Sequence, residues 1–131
     1  MQTTASTAPT RPAINDLIPL LRLESLAVGL GGIVAYASGA PNWPLFAILI
    51  FAPDLAMAGY AFGPRIGAVA YNATHSYIGP SLLAVLGWIF GGPMMLPLAA
   101  IWVAHIGLDR AIGYGLKHRS GFMTTHLTAP A

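Results

Sequence analysis

The chain has no cysteine, and only four acidic and six basic side chains among its 131 residues. Without cysteine there is no disulfide, no thiolate metal site and no cysteine nucleophile. Six Lys and Arg that form no run are too few for a nucleic-acid surface, so no nucleic-acid partner is expected despite a net charge of +2. HExxH and the serine-nucleophile motifs are also missing, which removes the commonest sequence signs of an intramembrane hydrolase. No reaction can be assigned from motifs, and an enzyme is the less favoured class.

What fills the sequence is apolar: 56 % of residues are hydrophobic and the mean hydropathy is +0.67. A helix rises about 1.5 Å per residue and a bilayer core is about 30 Å thick, so runs of roughly 20 apolar residues are the unit to seek. Four such runs occur, at 17–38, 43–62, 66–90 and 94–115. They predict an all-α membrane protein, an antiparallel four-helix transmembrane bundle, with the lipid bilayer as its first partner. Residues 1–16, rich in Thr, Ala and Pro, are expected to be a disordered tail, and 117–131 a short basic cytoplasmic tail. Ala35-Tyr36-Ala37 has the small-residue spacing of a signal-peptide cleavage site, but the polar leader and the Arg22/Glu24 pair favour an uncleaved helix.

Arg11, Arg65, Lys117 and Arg119 all fall on one side of this topology, and the loops at 39–42 and 91–93 carry no Lys or Arg. By the positive-inside rule both termini face the cytoplasm. Gly59, Gly63 and Gly67, with Gly87 and Gly91, recur every fourth residue; they suit close helix contact within the chain, or a face for a homo-oligomer or larger membrane complex. Pro53 and Pro80 sit in mid-span and free the carbonyls of Leu49 and Ser76. Trp43 and Trp88 fall near the outer ends, where an interfacial belt is expected, whereas Trp102 lies deeper.

The polar residues within the spans form one layer in the inner half of the membrane. At about 1.5 Å per residue, Arg22, Glu24, Asp54, Asn72, His75, His105 and Asp109 all lie roughly 8–15 Å from the cytoplasmic end of their helices. Such groups are expensive in lipid and should face one another. His105 and Asp109 are i,i+4, as are Tyr71 and His75, so each pair shares a helix face. Arg22 and Glu24 point apart, and Glu24 is expected to turn inward. Three readings are open: an ion-pair network that fixes register and includes Arg65 and Arg110; a divalent-metal site drawn from His75, His105, Asp54, Asp109 and Glu24; and a proton relay. Arg110 and Lys117 would anchor the last helix at the cytoplasmic surface. No other cofactor is indicated.

The stretches "LLRLESLAV", "APDLAMAGYAFGP", "YNATHSY" and "HIGLDRAIGYGLK" occur in that order. With them the chain resembles a bacterial membrane-protein family known as domain of unknown function 4260, from about Leu20 to Leu127. The matching positions are Arg22, Glu24, Pro53, Asp54, Tyr60, Gly63, Pro64, Tyr71, Asn72, His75, His105, Asp109, Arg110, Gly113, Tyr114, Gly115, Lys117, Phe122, Thr125 and His126. The resemblance implies a small integral protein of a bacterial inner (plasma) membrane, without an assigned activity, and it brings in the tail, where Phe122 and His126 would fold back under the bundle. The expectation is thus a small polytopic membrane protein with an ion- or proton-binding layer. The alternative is an accessory or structural subunit of a larger membrane complex.

Overall fold

The computed structural model describes residues 17–119 and 121–127; the expected tail over 1–16, Arg11 included, lies outside them, as do residues 128–131 and the side chain of Phe122. In chain order the elements are α1 (Ile18–Ala37), α2 (Trp43–Leu49), a 3-10 segment (Ala52–Phe62), α3 (Pro64–His75), α4 (Ile78–Phe90), α5 (Met95–Ile112), β1 (Lys117–His118) and β2 (Gly121–Thr125). The expected all-α class holds. A two-stranded antiparallel ribbon, β1 with β2, is added at the end and was not foreseen.

Three segments are long and apolar enough to cross a membrane: Ile18–Ala37, Trp43–Phe62 and Met95–Ile112. Only 11 % and 6 % of the first two are buried inside the protein, so their apolar surface faces outward. Trp88 and Leu55, 83 % and 78 % exposed, continue that outward apolar surface. This is the inverse of a water-soluble fold, in which so much contiguous apolar surface would be a liability.

The third expected span, 66–90, is not one helix. Pro80 cannot donate to the Ser76 carbonyl, and the chain breaks there: Ser76 has an extended ψ of 149° and separates α3 from α4. Pro53 acts likewise on the second span, where α2 ends at Leu49 and the chain continues as a 3-10 helix from Ala52. Both breaks therefore fall where a proline withdraws a hydrogen-bond donor.

Helix α1 lies along α5 with backbones in contact. A methyl placed on Gly29 would stand 3.0 Å from the Leu108 nitrogen, and one on Gly32 2.8 Å from the Ala100 oxygen. One on Gly107 would collide with the Gly29 backbone and lie 2.7 Å from the Ser25 oxygen. Numbers rise along α1 as they fall along α5, so the pair is antiparallel. Helix α4 packs on α5 in the same sense, with Gly87 against Met95 and Leu96, and Gly79 against the Trp102 ring. The 3-10 segment returns along α3 through Gly59 against Ala70 and Gly67 against Tyr60. Of the glycines singled out by spacing, Gly59, Gly67 and Gly87 thus serve contacts within the chain. Gly63 and Gly91, with φ of 109° and 68°, instead make turns. The glycines that bring α1 and α5 together, Gly29, Gly32 and Gly107, were not in that set.

Gly107→Ala is expected to destabilise the protein by about 1–3 kcal/mol through overpacking. Gly31→Ala, whose methyl meets nothing within 4 Å, should change stability by no more than about 0.5 kcal/mol. Thermal melting in mild detergent distinguishes them, and a wild-type melting point for Gly107→Ala would refute the backbone contact.

Candidate metal centre

Asp54, in the first turn of the 3-10 segment, His75, the last residue of α3, and His105 and Asp109, one turn apart on α5, converge on one point. His75 Nε2 lies 3.3 Å from Asp54 Oδ1 and 3.5 Å from Asp109 Oδ2. His105 Nε2 lies 3.5 Å from each of the same two oxygens. The two Nε2 atoms are 3.0 Å apart. One donor atom from each residue lies within 4.8 Å of the other three. Both histidines are buried, their side chains 4 % and 5 % exposed, while Asp54 at 38 % leaves one flank of the cluster open.

The His75 tautomer follows from its other nitrogen. Nδ1 is 3.0 Å from the Tyr71 carbonyl, which can only accept, so in the neutral imidazole Nδ1 carries the proton and Nε2 presents a lone pair to the cluster. Thr74 Oγ1, 2.9 Å from Nδ1 and 3.1 Å from the Pro53 carbonyl, extends this restraint to the residue beside Asp54. The Tyr71 ring stacks on the imidazole at 3.7 Å and 9°. Such a carbonyl-bound imidazole is the usual support of a metal-ligating histidine.

The break after α3 is satisfied by side chains from α5. The Thr74 and His75 carbonyls have lost the helical donors four residues on. Trp102 Nε1 donates to Thr74 O at 2.6 Å and Arg110 Nη2 to His75 O at 3.2 Å. Trp102 is therefore a helix cap, which explains its depth, and Arg110 is half-buried, with its guanidinium 4.5 Å above the Tyr77 ring. Neither role is visible from helical periodicity; Pro80 pointed to a freed carbonyl at Ser76, but the carbonyls that α5 caps are those of Thr74 and His75 just before it.

The remaining predicted residues fall elsewhere. Glu24 does not join the cluster; it is exposed on α1 and lines a separate cavity with Arg110. Arg22 is exposed and its guanidinium lies over Gly113, while Arg65 is exposed and shares a shallow pocket with Arg119. Asn72 is a clamp: its amide donates to the Lys117 carbonyl at 2.8 Å and accepts from the Lys117 N–H at 2.7 Å. Lys117 is not at the surface as expected. It is 5 % exposed, with its ammonium 5.1 Å over the Tyr71 ring. Burial pulls its pKa below the ordinary 10.5, against the opposing pull of Asp109. His126 does fold back: its Nδ1 accepts from the Leu116 N–H at 2.8 Å.

Five of the donor separations, 3.0 to 3.5 Å, match the edges of a small coordination polyhedron. A tetrahedral ion with bonds of about 2.0–2.1 Å has donor–donor edges of about 3.3–3.4 Å. The donor set, two imidazoles and two carboxylates, suits a borderline divalent ion.

Two tests probe the supports. Asn72→Leu, which removes both bonds to Lys117, should loosen the terminal ribbon by about 1–3 kcal/mol, read as lost hydrogen-exchange protection from Lys117 to Thr125. Burial, and then the charge of Arg110, hold the His126 imidazole below its ordinary pKa of 6.5. The unfolded segment therefore takes up its proton first, and ribbon protection factors should fall as pH drops below about 6.5, the ordinary histidine value, through the folded value. Protection that is flat from pH 7.5 to 5 would argue against the His126 contact.

No curated protein and no solved structure matches the chain. The profile described as "Domain of unknown function (DUF4260)" matches residues 19–129. That span takes in α1, both proline breaks, all four converging side chains and the terminal ribbon, and the chain belongs to the DUF4260 family.

Proposed function

We propose that the chain is a four-span antiparallel bundle of the bacterial inner membrane, with both termini cytoplasmic, that binds one divalent metal ion through Asp54, His75, His105 and Asp109. The carrying observation is the His75 Nε2 lone pair, aimed at two carboxylate oxygens and a second imidazole within 3.5 Å. Acceptors face acceptors there, an arrangement that a shared cation stabilises and an empty interior does not. Two carboxylates and a divalent ion sum to no net charge, which removes most of the cost of placing them at membrane depth. The near-tetrahedral edges favour zinc.

Several features support the four crossings. Consecutive segments pack antiparallel where they touch, the 3-10 segment on α3 and α4 on α5, and α3 with α4 completes the fourth crossing as a broken helix. Broken helices are tolerated in lipid where the freed backbone is satisfied within the protein, the service that Trp102 and Arg110 perform. Arg65 and Arg119, both exposed, then sit together at the cytoplasmic boundary. The ion would clamp the 3-10/α3 hairpin to α5, with its open flank at Asp54.

A second reading draws on the 3.0 Å separation of the two Nε2 atoms, which suits a proton held between imidazoles. The two readings separate in one experiment. Protein purified in mild detergent should carry about one zinc per chain, lost in the His75→Ala, His105→Ala double variant. Chelation should lower its melting temperature and added zinc restore it. Metal-free wild type, with melting unchanged by chelation but shifting with pH only when both histidines are present, would favour the proton.

A further inference from the structure

Beside α1 and α5 lies a cavity of about 230 Å3, distinct from the four-residue cluster. Its walls include Leu21, Glu24, Ser25 and Val28, an i, i+3, i+4, i+7 face of α1, with Arg110 from α5, Tyr77 from the helix break and His126 from the tail. Glu24 and Arg110 both border it, yet among the described residues no ion pair within 4.0 Å joins either of them to an opposite charge. Arg110 is half-buried; its guanidinium bonds the His75 carbonyl and stacks on Tyr77, but it meets no carboxylate among the described residues. The Tyr77 ring lies beneath its guanidinium, and the Tyr77 hydroxyl is buried with no hydrogen-bond partner. Since His126 uses Nδ1 as an acceptor, its Nε2 carries the proton and adds another donor.

A guanidinium and a carboxylate that border one small cavity without an ion pair between them complement a ligand that carries both charges. We propose that this cavity binds a phosphate ester bearing a primary amine, the headgroup of an ethanolamine phospholipid, with phosphate on Arg110 and ammonium on Glu24. Arginine's planar fork suits the phosphate and its stacking on Tyr77 fixes the fork's direction. The mouth favours a lipid over a soluble ester. Leu21 and Val28 border the cavity and are 38 % and 42 % exposed, so acyl chains attached to the headgroup would run along the apolar outside of α1. This inference rests on the membrane placement proposed above, not on the metal.

The test is retention of lipid by the full chain in native mass spectrometry, offering phosphatidylethanolamine, phosphatidylcholine and phosphatidylglycerol of matched acyl length. Ethanolamine lipid should be retained over choline lipid by at least about tenfold, because trimethylation removes every N–H donor to Glu24. Glu24→Gln should erase that preference. Glu24 is exposed and outside the metal cluster, so the variant should keep its melting temperature and metal content, which separates loss of this site from failure of the metal reading. Soluble phosphoethanolamine added as competitor identifies the source: displacement only at large excess supports the lipid, while displacement at equimolar amounts keeps the chemistry and moves the source to the free ester. Equal retention of all three lipids, or a preference that survives Glu24→Gln, overturns the proposal.

Discussion

Two imidazole nitrogens 3.0 Å apart, each within 3.5 Å of both carboxylate oxygens, are the contact on which the rest of the structure depends. Helices α1 and α4 lie on α5, and the 3-10 segment lies on α3, but backbone contact between α3 and α5 is sparse. Side chains join the two groups instead: the Asp-His-His-Asp cluster, Trp102 on Thr74, Arg110 on His75 and Asn72 on Lys117. In lipid there is little hydrophobic drive between helices, so polar contacts and close packing carry association. Both are present and separated here: the glycine contact holds α1 to α5, and the polar seam holds the hairpin to α5.

The helix break makes that seam. An intact helix through Ser76 would satisfy the Thr74 and His75 carbonyls internally and leave Trp102 and Arg110 without acceptors. Breaking it releases two backbone acceptors at and beside His75, and α5 supplies both donors. The prolines are therefore structural partners of the polar residues, placing irregular backbone where side chains from a neighbouring helix can meet it.

Much of this was legible in the sequence. Apolar run length located the helical segments to within a few residues at most ends, because burial in lipid imposes a length that composition alone reveals. Depth counting grouped Asp54, His75, His105 and Asp109, since rise per residue is nearly constant. It also included Glu24, and there it failed: depth fixes height but not azimuth, and α1 turns Glu24 toward Arg110 and the terminal segment instead. The continuous third span was misread because hydropathy does not register a single missing donor. The ribbon and the burial of Lys117 were illegible for another reason. They depend on Asn72, 45 residues away in sequence, gripping the Lys117 backbone at both its donor and its acceptor.

The order of the four clustered residues along the chain has its own consequence. Asp54 and His75 come from the middle of the sequence and His105 and Asp109 from α5, while Lys117 and His126 close over the same end afterwards. The first three segments carry only half of the cluster, Asp54 and His75. Only α5, made later, brings His105 and Asp109 to it and, through Trp102 and Arg110, supplies the donors that cap the broken α3. A chain that stops before residue 105 would thus leave one carboxylate and one imidazole without the partners that surround them in the whole protein.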